Sequence, residues 1–306
     1  MSSMPEPTTR QRYELILTFL LLTALLSSFF YYFLTRQVAS PRLYSYGIMW
    51  SPGAAALLTA RFFRRDLASF GWHWPRPASV AWCYLLPLGY TLVAYLLVWL
   101  GGWGGFPNYD FVAQTSGALG WGRLPAWLFV PCFFVFNAIC ALVPSLATAL
   151  GEEMGWRGLL VPELARVTSY PKVSLVSGLI WAVWHFPILL YGNYNNGTPA
   201  WYGLSCFTVL VVSLSFMYTW FRLKTGSLWT GVLLHASHNL FVQAIFTPLT
   251  RDTGLTKYFI DEFGLALPVI CLVAAWLFWR KRHALAPAAS ARGPQRAAVA
   301  HLRELG

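Results

Sequence analysis

The chain has 306 residues, 57% of them hydrophobic and 11% charged, with a net charge of +11. Soluble globular chains are about 25% charged, and here residues 15–35, 124–151, 173–221 and 225–250 contain no Asp, Glu, Lys or Arg at all. A helix crosses the ~30 Å hydrocarbon layer in roughly 20 apolar residues, so a soluble enzyme is excluded. The basic residues fall in short loops and at the C-terminus between apolar runs, so no nucleic-acid partner is expected; the partner is the lipid bilayer.

Taken in chain order, the apolar runs predict an all-α, polytopic membrane helix bundle of about eight transmembrane helices. They fall near 15–35, 44–61, 78–100, 126–151 with a continuation to 161, 173–191, 203–221, 228–247 and 264–280. The first run is longer than the apolar core of a signal peptide and reads as a retained helix. The stretch 126–161 would be about 54 Å long as a straight helix, too long for one span, and Pro131 and Pro144 offer places to bend it. Trp, Tyr and Phe are abundant, as expected where rings anchor helix ends at the interfaces. Cys83, Cys132, Cys140, Cys206 and Cys271 all lie in apolar segments without CxxC spacing, so reduced packing residues are expected.

Arginine and lysine in the short loops set the orientation. Arg10 and Arg12 at the N-terminus belong to one side with Arg61, Arg64, Arg65 and Arg76, then Arg157, Arg166 and Lys172. Arg222, Lys224 and the run Arg280-Lys281-Arg282 join them. Residues 192–202 carry no charge, and Arg36, Arg42 and Arg251 are mild exceptions. The expectation is a multi-pass protein of the cell (plasma or inner) membrane with both termini in the cytoplasm. The chain divides into N-terminal transmembrane helices (1–125), a core (126–245), a last transmembrane helix (246–283) and an Ala-rich, disordered cytoplasmic tail (284–306).

The informative residues are the charges inside the apolar runs. Gly151-Glu152-Glu153-Met154-Gly155-Trp156-Arg157 places two acids and an arginine within or at the edge of a span, where each charge costs about 2.5–3.5 kcal/mol and must face a partner or a wet cavity. Glu153 and Arg157 are at i and i+4 with the acid first, the favourable order for a pair. Glu152 is rotated about 100° away and is left for proton chemistry. A solvated cluster at a helix end would show the same spacing. His185 follows in Trp181-Ala-Val-Trp184-His185, about 20 Å along a helix from Lys172; His235 stands about 16 Å from Lys224. His235 and Asn239 share a helix face, and His238 is not excluded by its spacing. A buried carboxylate acts as general base on water, and imidazole and amide N–H groups stabilise an oxyanion. Glu152, His185, His235 and Asn239 are therefore expected to converge on one cavity, open to the cytoplasmic side.

The set Glu152-Glu153-x-x-x-Arg157, an aromatic-x-x-x-His ending at His185, and His235-x-x-x-Asn239 resembles the CPBP family. This is the group of CAAX prenyl proteases and bacteriocin-processing enzymes, also called the abortive-infection domain. The resemblance covers roughly 126–245, with one departure: Trp181 stands where the family usually has Phe. It implies an intramembrane endopeptidase in which Glu152 and His185 activate water, His235 and Asn239 stabilise the oxyanion, and Glu153 and Arg157 support the site. The implied partners are membrane proteins or lipidated peptides, including prenylated C-termini and leader peptides. Members are often labelled metalloproteases. No HExxH occurs here, and the expectation is no cofactor; the zinc alternative would draw on Glu152, His185 and His235.

Two other classes compete. A proton-coupled transporter also uses intramembrane acids and histidines, and a second acid on another helix or an inverted repeat would mark one. No repeat is visible, and Asp110, Asp252, Asp261 and Glu262 are expected in outside loops. A non-catalytic membrane scaffold would be marked by loss of a motif residue, and none is lost.

Overall fold

A computed structural model of the chain describes residues 7–36, 41–192 and 194–285; the expected disordered tail lies, from residue 286 on, outside them. The described part is all α-helical, with no strand among the described residues. The helices are α1 (Thr9–Thr35), α2 (Pro41–Phe62), α3 (Pro77–Leu100), α4 (Tyr109–Ala118), α5 (Ala126–Cys140), α6 (Leu142–Glu153), α7 (Tyr170–Tyr191), α8 (Ala200–Thr225), α9 (Trp229–Asn239) and α10 (Ala266–Arg280). Two of them continue as wider π-type turns, α6 through Met154–Leu160 into Val161–Ala165 and α9 through Leu240–Phe246 into Thr247–Leu249.

All eight apolar runs are helical, and four helices are long and apolar enough to cross a membrane: α1, α3, α7 and α8. Helix α5 and Leu142–Ala165 pass the same length and apolarity test together, as two pieces bent by 45°, the form of a broken span or a re-entrant loop. Pro144 explains the break: its ring excludes the carbonyl four residues back, at Cys140, and it has no N–H to donate there. The helix accordingly ends at Cys140 and restarts at Leu142. On α1, Leu15, Ile16, Phe19 and Tyr31 are buried while Leu17, Leu21, Leu25 and Phe29 stand exposed. In water such a large apolar face would be a liability; in lipid it is the solvated side, and the protein is a multi-pass membrane protein.

Helix α1 packs on α2, α7 on α8, and α8 on α10, while α9 lies against α3 and α6. The contact that matters most for the site is α2 against α6. A Cβ at Gly151 would stand 2.8 Å from the Met49 carbonyl, and one at Gly155 2.8 Å from the Pro52 carbonyl. The two backbones therefore touch, and small residues are what permits such close approach in a membrane.

The charged ends are arranged differently from the expectation. Arg12, Arg157 and Arg222 are buried, so they are not loop charges: each has an interior hydrogen-bonding task. Arg12 donates to Glu163 (3.0 Å), which Arg65 also grips. Arg222 donates to the carbonyls of Arg157 (2.7 Å) and Phe70 (3.1 Å), and to that of Gly226. Lys224 reaches the Ala284 carbonyl (2.7 Å). These contacts gather the start of α1 and the segments 65–73, 157–166, 222–227 and 281–284 at one end of the molecule. At the other end Arg251 pairs with Gly105 through the backbone, and Lys257 donates to the Gly197 carbonyl.

Candidate active site

Glu152 and Glu153 are the last residues of α6, 2% and 0% exposed. Glu153 is neutralised as the spacing predicts: Arg157 Nη1 donates to its Oε1 at 2.8 Å. The guanidinium lies between two rings, 4.4 Å from the Trp181 centroid and 4.6 Å from that of Tyr218, where cation–π attraction supplements the ion pair. His235 Nδ1 meets the same Oε1 at 3.0 Å. A carboxylate only accepts, so the proton of that contact sits on Nδ1. Gly231, one turn earlier on α9, makes room, since a Cβ there would come within 2.5 Å of Glu153 Oε2.

Glu152 has no cation on it. Its Oε2 accepts two indole N–H groups, from Trp181 (2.8 Å) and Trp156 (3.3 Å). Oε1 has no hydrogen-bond partner among the described residues. The Trp181 departure from the usual Phe therefore has a physical consequence: Phe would fill the space without donating. His185 Nδ1 lies 3.0 Å from the carbonyl of Trp181, one turn back. A carbonyl accepts only, so this nitrogen is the protonated one, and Nε2 of a neutral His185 is an acceptor.

Glu152, His185, His235 and Asn239 line one cavity of about 500 Å³, together with Trp181, Trp184 and Phe207. The structure thus brings together all four residues singled out from the sequence as catalytic, with Glu153 and Arg157 directly behind them. Two expectations need correction. The cavity also takes in Tyr194 and Glu262, from loops at the charge-poor end, so it reaches toward that end rather than toward the basic loops. Glu262 is not a solvated loop acid: it is 7% exposed and its Oε1 meets His238 Nε2 at 3.1 Å. Tyr194 donates to its Oε2 at 2.8 Å, and Tyr90 Oη meets His238 Nδ1 at 2.7 Å. Sequence reasoning missed Glu262, Tyr194 and Tyr90. Nothing in the spacing marks them, because Tyr90 and Glu262 reach His238, and Tyr194 reaches Glu262, from three different segments.

The zinc alternative does not fit this arrangement. Among the described residues no three His, Cys, Asp or Glu side chains are placed to share an ion.

Comparison with known proteins bears on the same segment. Residues 124–241 match the family described as type II CAAX prenyl endopeptidase Rce1-like. A CAAX prenyl protease 2 of Methanococcus maripaludis is 30% identical over 134 residues, 42% of this chain and 45% of that protein. The uncharacterized protein YyaK of Bacillus subtilis is 32% identical over 115 residues, 37% of this chain and 35% of its own. The matches thus span less than half of either relative. Over the stretch that carries Glu152, His185, His235 and Asn239, the chain is similar to the Rce1-like CAAX prenyl endopeptidases.

Proposed function

We propose that the protein is an intramembrane endopeptidase of glutamate type. The observation that carries this reading is Glu152: a carboxylate 2% exposed, held by two indole donors, with its second oxygen unpartnered among the described residues, at a cavity shared with His185, His235 and the Asn239 amide. Glu152 takes one proton from a water whose other O–H donates a hydrogen bond to His185 Nε2, and the resulting hydroxide attacks the scissile carbonyl. The oxyanion is met by the Asn239 amide and by His235. Because His235 already donates from Nδ1 to Glu153, it offers Nε2–H only as the imidazolium, a charge that the neighbouring Glu153 supports. Glu152 then returns its proton to the leaving amine. Every step uses side chains of this chain, and activity persists after exhaustive chelation; loss of activity restored stoichiometrically by zinc would reject the mechanism.

The substrate class is a peptide bond in a membrane-associated chain. The name of the Methanococcus relative points to prenylated C-termini; leader peptides and membrane proteins are the other candidates. We place both termini and the basic end in the cytoplasm, a reading supported by the exposed Arg61, Arg64, Arg76, Lys172 and Arg280; labelling of a cysteine placed in 194–202 from the cytoplasm would overturn it.

The test is cleavage of a membrane-peptide library, prenylated peptides included, by purified protein, with Glu152→Ala as control. Equal cleavage by wild type and Glu152→Ala sinks the reading. One observation favours a second reading: Glu262 is a second buried acid at the cavity, of the kind a proton-coupled transporter uses. Proton flux through proteoliposomes, abolished by Glu262→Gln and unaccompanied by any cleavage, would decide for the transporter.

A further inference from the structure

His238 and Glu262 are not part of the mechanism above, yet they are buried on the wall of its cavity. Both ring nitrogens of His238 are engaged, Nδ1 by the Tyr90 hydroxyl of α3 (2.7 Å) and Nε2 by Glu262 Oε1 (3.1 Å). It has no nitrogen left for a substrate, so it is neither a base nor a donor to reacting atoms. Glu262 Oε2 accepts from Tyr194 (2.8 Å), and the Tyr194 oxygen accepts from Gln243 Nε2 (2.9 Å). Gln243 lies on the π-type continuation of α9, Leu240–Phe246. The links His238–Glu262–Tyr194–Gln243 therefore close into a ring through the backbone 238–243. The junction at which the α-helix widens falls inside that ring, and Asn239 is the residue at the junction.

A π-type turn is energetically unfavourable unless its surroundings hold it, and such turns concentrate at functional sites. Here two loop residues hold it from the charge-poor end. The turn that delivers Glu262 is itself fixed: Asp261 adopts φ +63°, accepts the Glu262 N–H at 2.8 Å and donates its own N–H to Tyr95 Oη at 3.2 Å.

We propose that His238, Glu262 and Tyr194 are positioning residues of the active site: their ring with Gln243 holds the helix widening at Asn239 and so aims the Asn239 amide at the oxyanion. The proposal rests on the reading of Asn239 as an oxyanion donor. It assigns Glu262 a hydrogen-bonding task rather than a charge task. Gln at 262 preserves the ring, since its oxygen accepts from His238 and its NH2 donates to the Tyr194 oxygen. Leu at 262 has the size and neither group.

The experiment uses the purified full-length protein, with a membrane peptide that the wild type cleaves. Glu262→Leu is expected to lower kcat about 10- to 100-fold with KM changed less than about threefold, short of the ~10²–10³ for outright loss of an oxyanion donor. Glu262→Gln restores kcat to within about threefold of wild type, and Tyr194→Phe falls between the two. Hydrogen–deuterium exchange of segment 236–246 reads the same ring without activity: faster in Glu262→Leu, as wild type in Glu262→Gln. An equally low kcat for Gln and Leu, an unchanged kcat for Leu, or exchange insensitive to Leu overturns the proposal. A wild type that cleaves nothing instead sinks the protease reading, and the exchange result still decides whether the ring holds the turn.

Discussion

Helix α9 carries two imidazoles, one turn apart, and each meets a buried carboxylate in a different way. His235 faces Glu153, which is already paired with Arg157 under two aromatic rings. His238 faces Glu262, which has no arginine or lysine partner among the described residues and is held by a tyrosine hydroxyl instead. The first acid arrives on a helix, from a motif; the second arrives on a loop. The lesson is that the same acid–imidazole contact can be built from a compensated charge or from neutral donors, and that the two should fail differently when taken apart.

The compensated pair should fail hardest. Arg157→Ala leaves Glu153 buried with only His235 against its charge, and breaking a buried pair from one side costs about 3–5 kcal/mol. The expected outcome is loss of folded protein in a detergent thermal melt. Arg157→Lys keeps the charge but loses the planar fork and the stacking between rings, so it should lie between alanine and wild type in both melt and activity. Wild-type behaviour of the lysine variant would show that the charge alone matters. Next in size is Gly231→Ala, whose new methyl meets Glu153 Oε2 and the Arg157 stem. Overpacking of this kind costs about 1–3 kcal/mol, and an unshifted melting temperature would mean that α9 can move away from α6 freely.

Trp181→Phe probes the free carboxylate rather than either pair. It removes the 2.8 Å donor to Glu152 and leaves Trp156 as sole donor. One lost hydrogen bond to a charged group is worth about 1.5–3 kcal/mol, so kcat should drop about tenfold or more while the fold survives. An unchanged kcat would make the second indole redundant. The smallest effect belongs to the loop that delivers Glu262. Burial, and then the neighbouring Glu262 carboxylate, raise the Asp261 carboxyl from 3.8 to about 7. The folded chain thus holds that proton more tightly than the unfolded one, so this group's stabilisation is complete below pH ~4 and is lost as pH rises through about 7. Asp261→Asn keeps the left-handed turn and removes the loss: its melting temperature should exceed wild type by about 2–4 °C at pH 8 and match it near pH 4. A gain of equal size at both pH values would assign the effect to something other than ionisation.

Much of the compensated half could be read from sequence, because its partners lie on regular helices. Glu153 and Arg157 are four apart, as are His235 and Asn239, and 3.6 residues per turn converts those spacings directly into shared faces. The break between α5 and α6 was foreshadowed by Pro144 for the same local reason. The other half was not legible. Glu262 reaches His238 through an irregular loop whose path depends on Asp261 in a left-handed conformation, and no periodicity encodes that. Glu262 therefore looked like one more outside acid. Arg12, Arg157 and Arg222 misled in the opposite sense: a basic residue at a helix end has the same sequence signature whether it sits in water or turns inward to a carboxylate or a carbonyl. The indole donors to Glu152 are intermediate, since the tryptophans were visible but the direction of their N–H groups was not.

Arg222 carries a consequence for the order in which the protein is assembled. Among the described residues its guanidinium has no carboxylate partner and relies on backbone carbonyls, those of Phe70 and Arg157 among them. Both acceptors lie earlier in the chain, so they have been synthesised and threaded before α8 leaves the ribosome. The first two-thirds of the chain thus present acceptors for the one arginine that α8 must bring in. A helix that arrives with a cation finds two of its acceptors already in the chain, the Gly226 carbonyl arrives four residues later, and α9, with the two imidazoles, comes next.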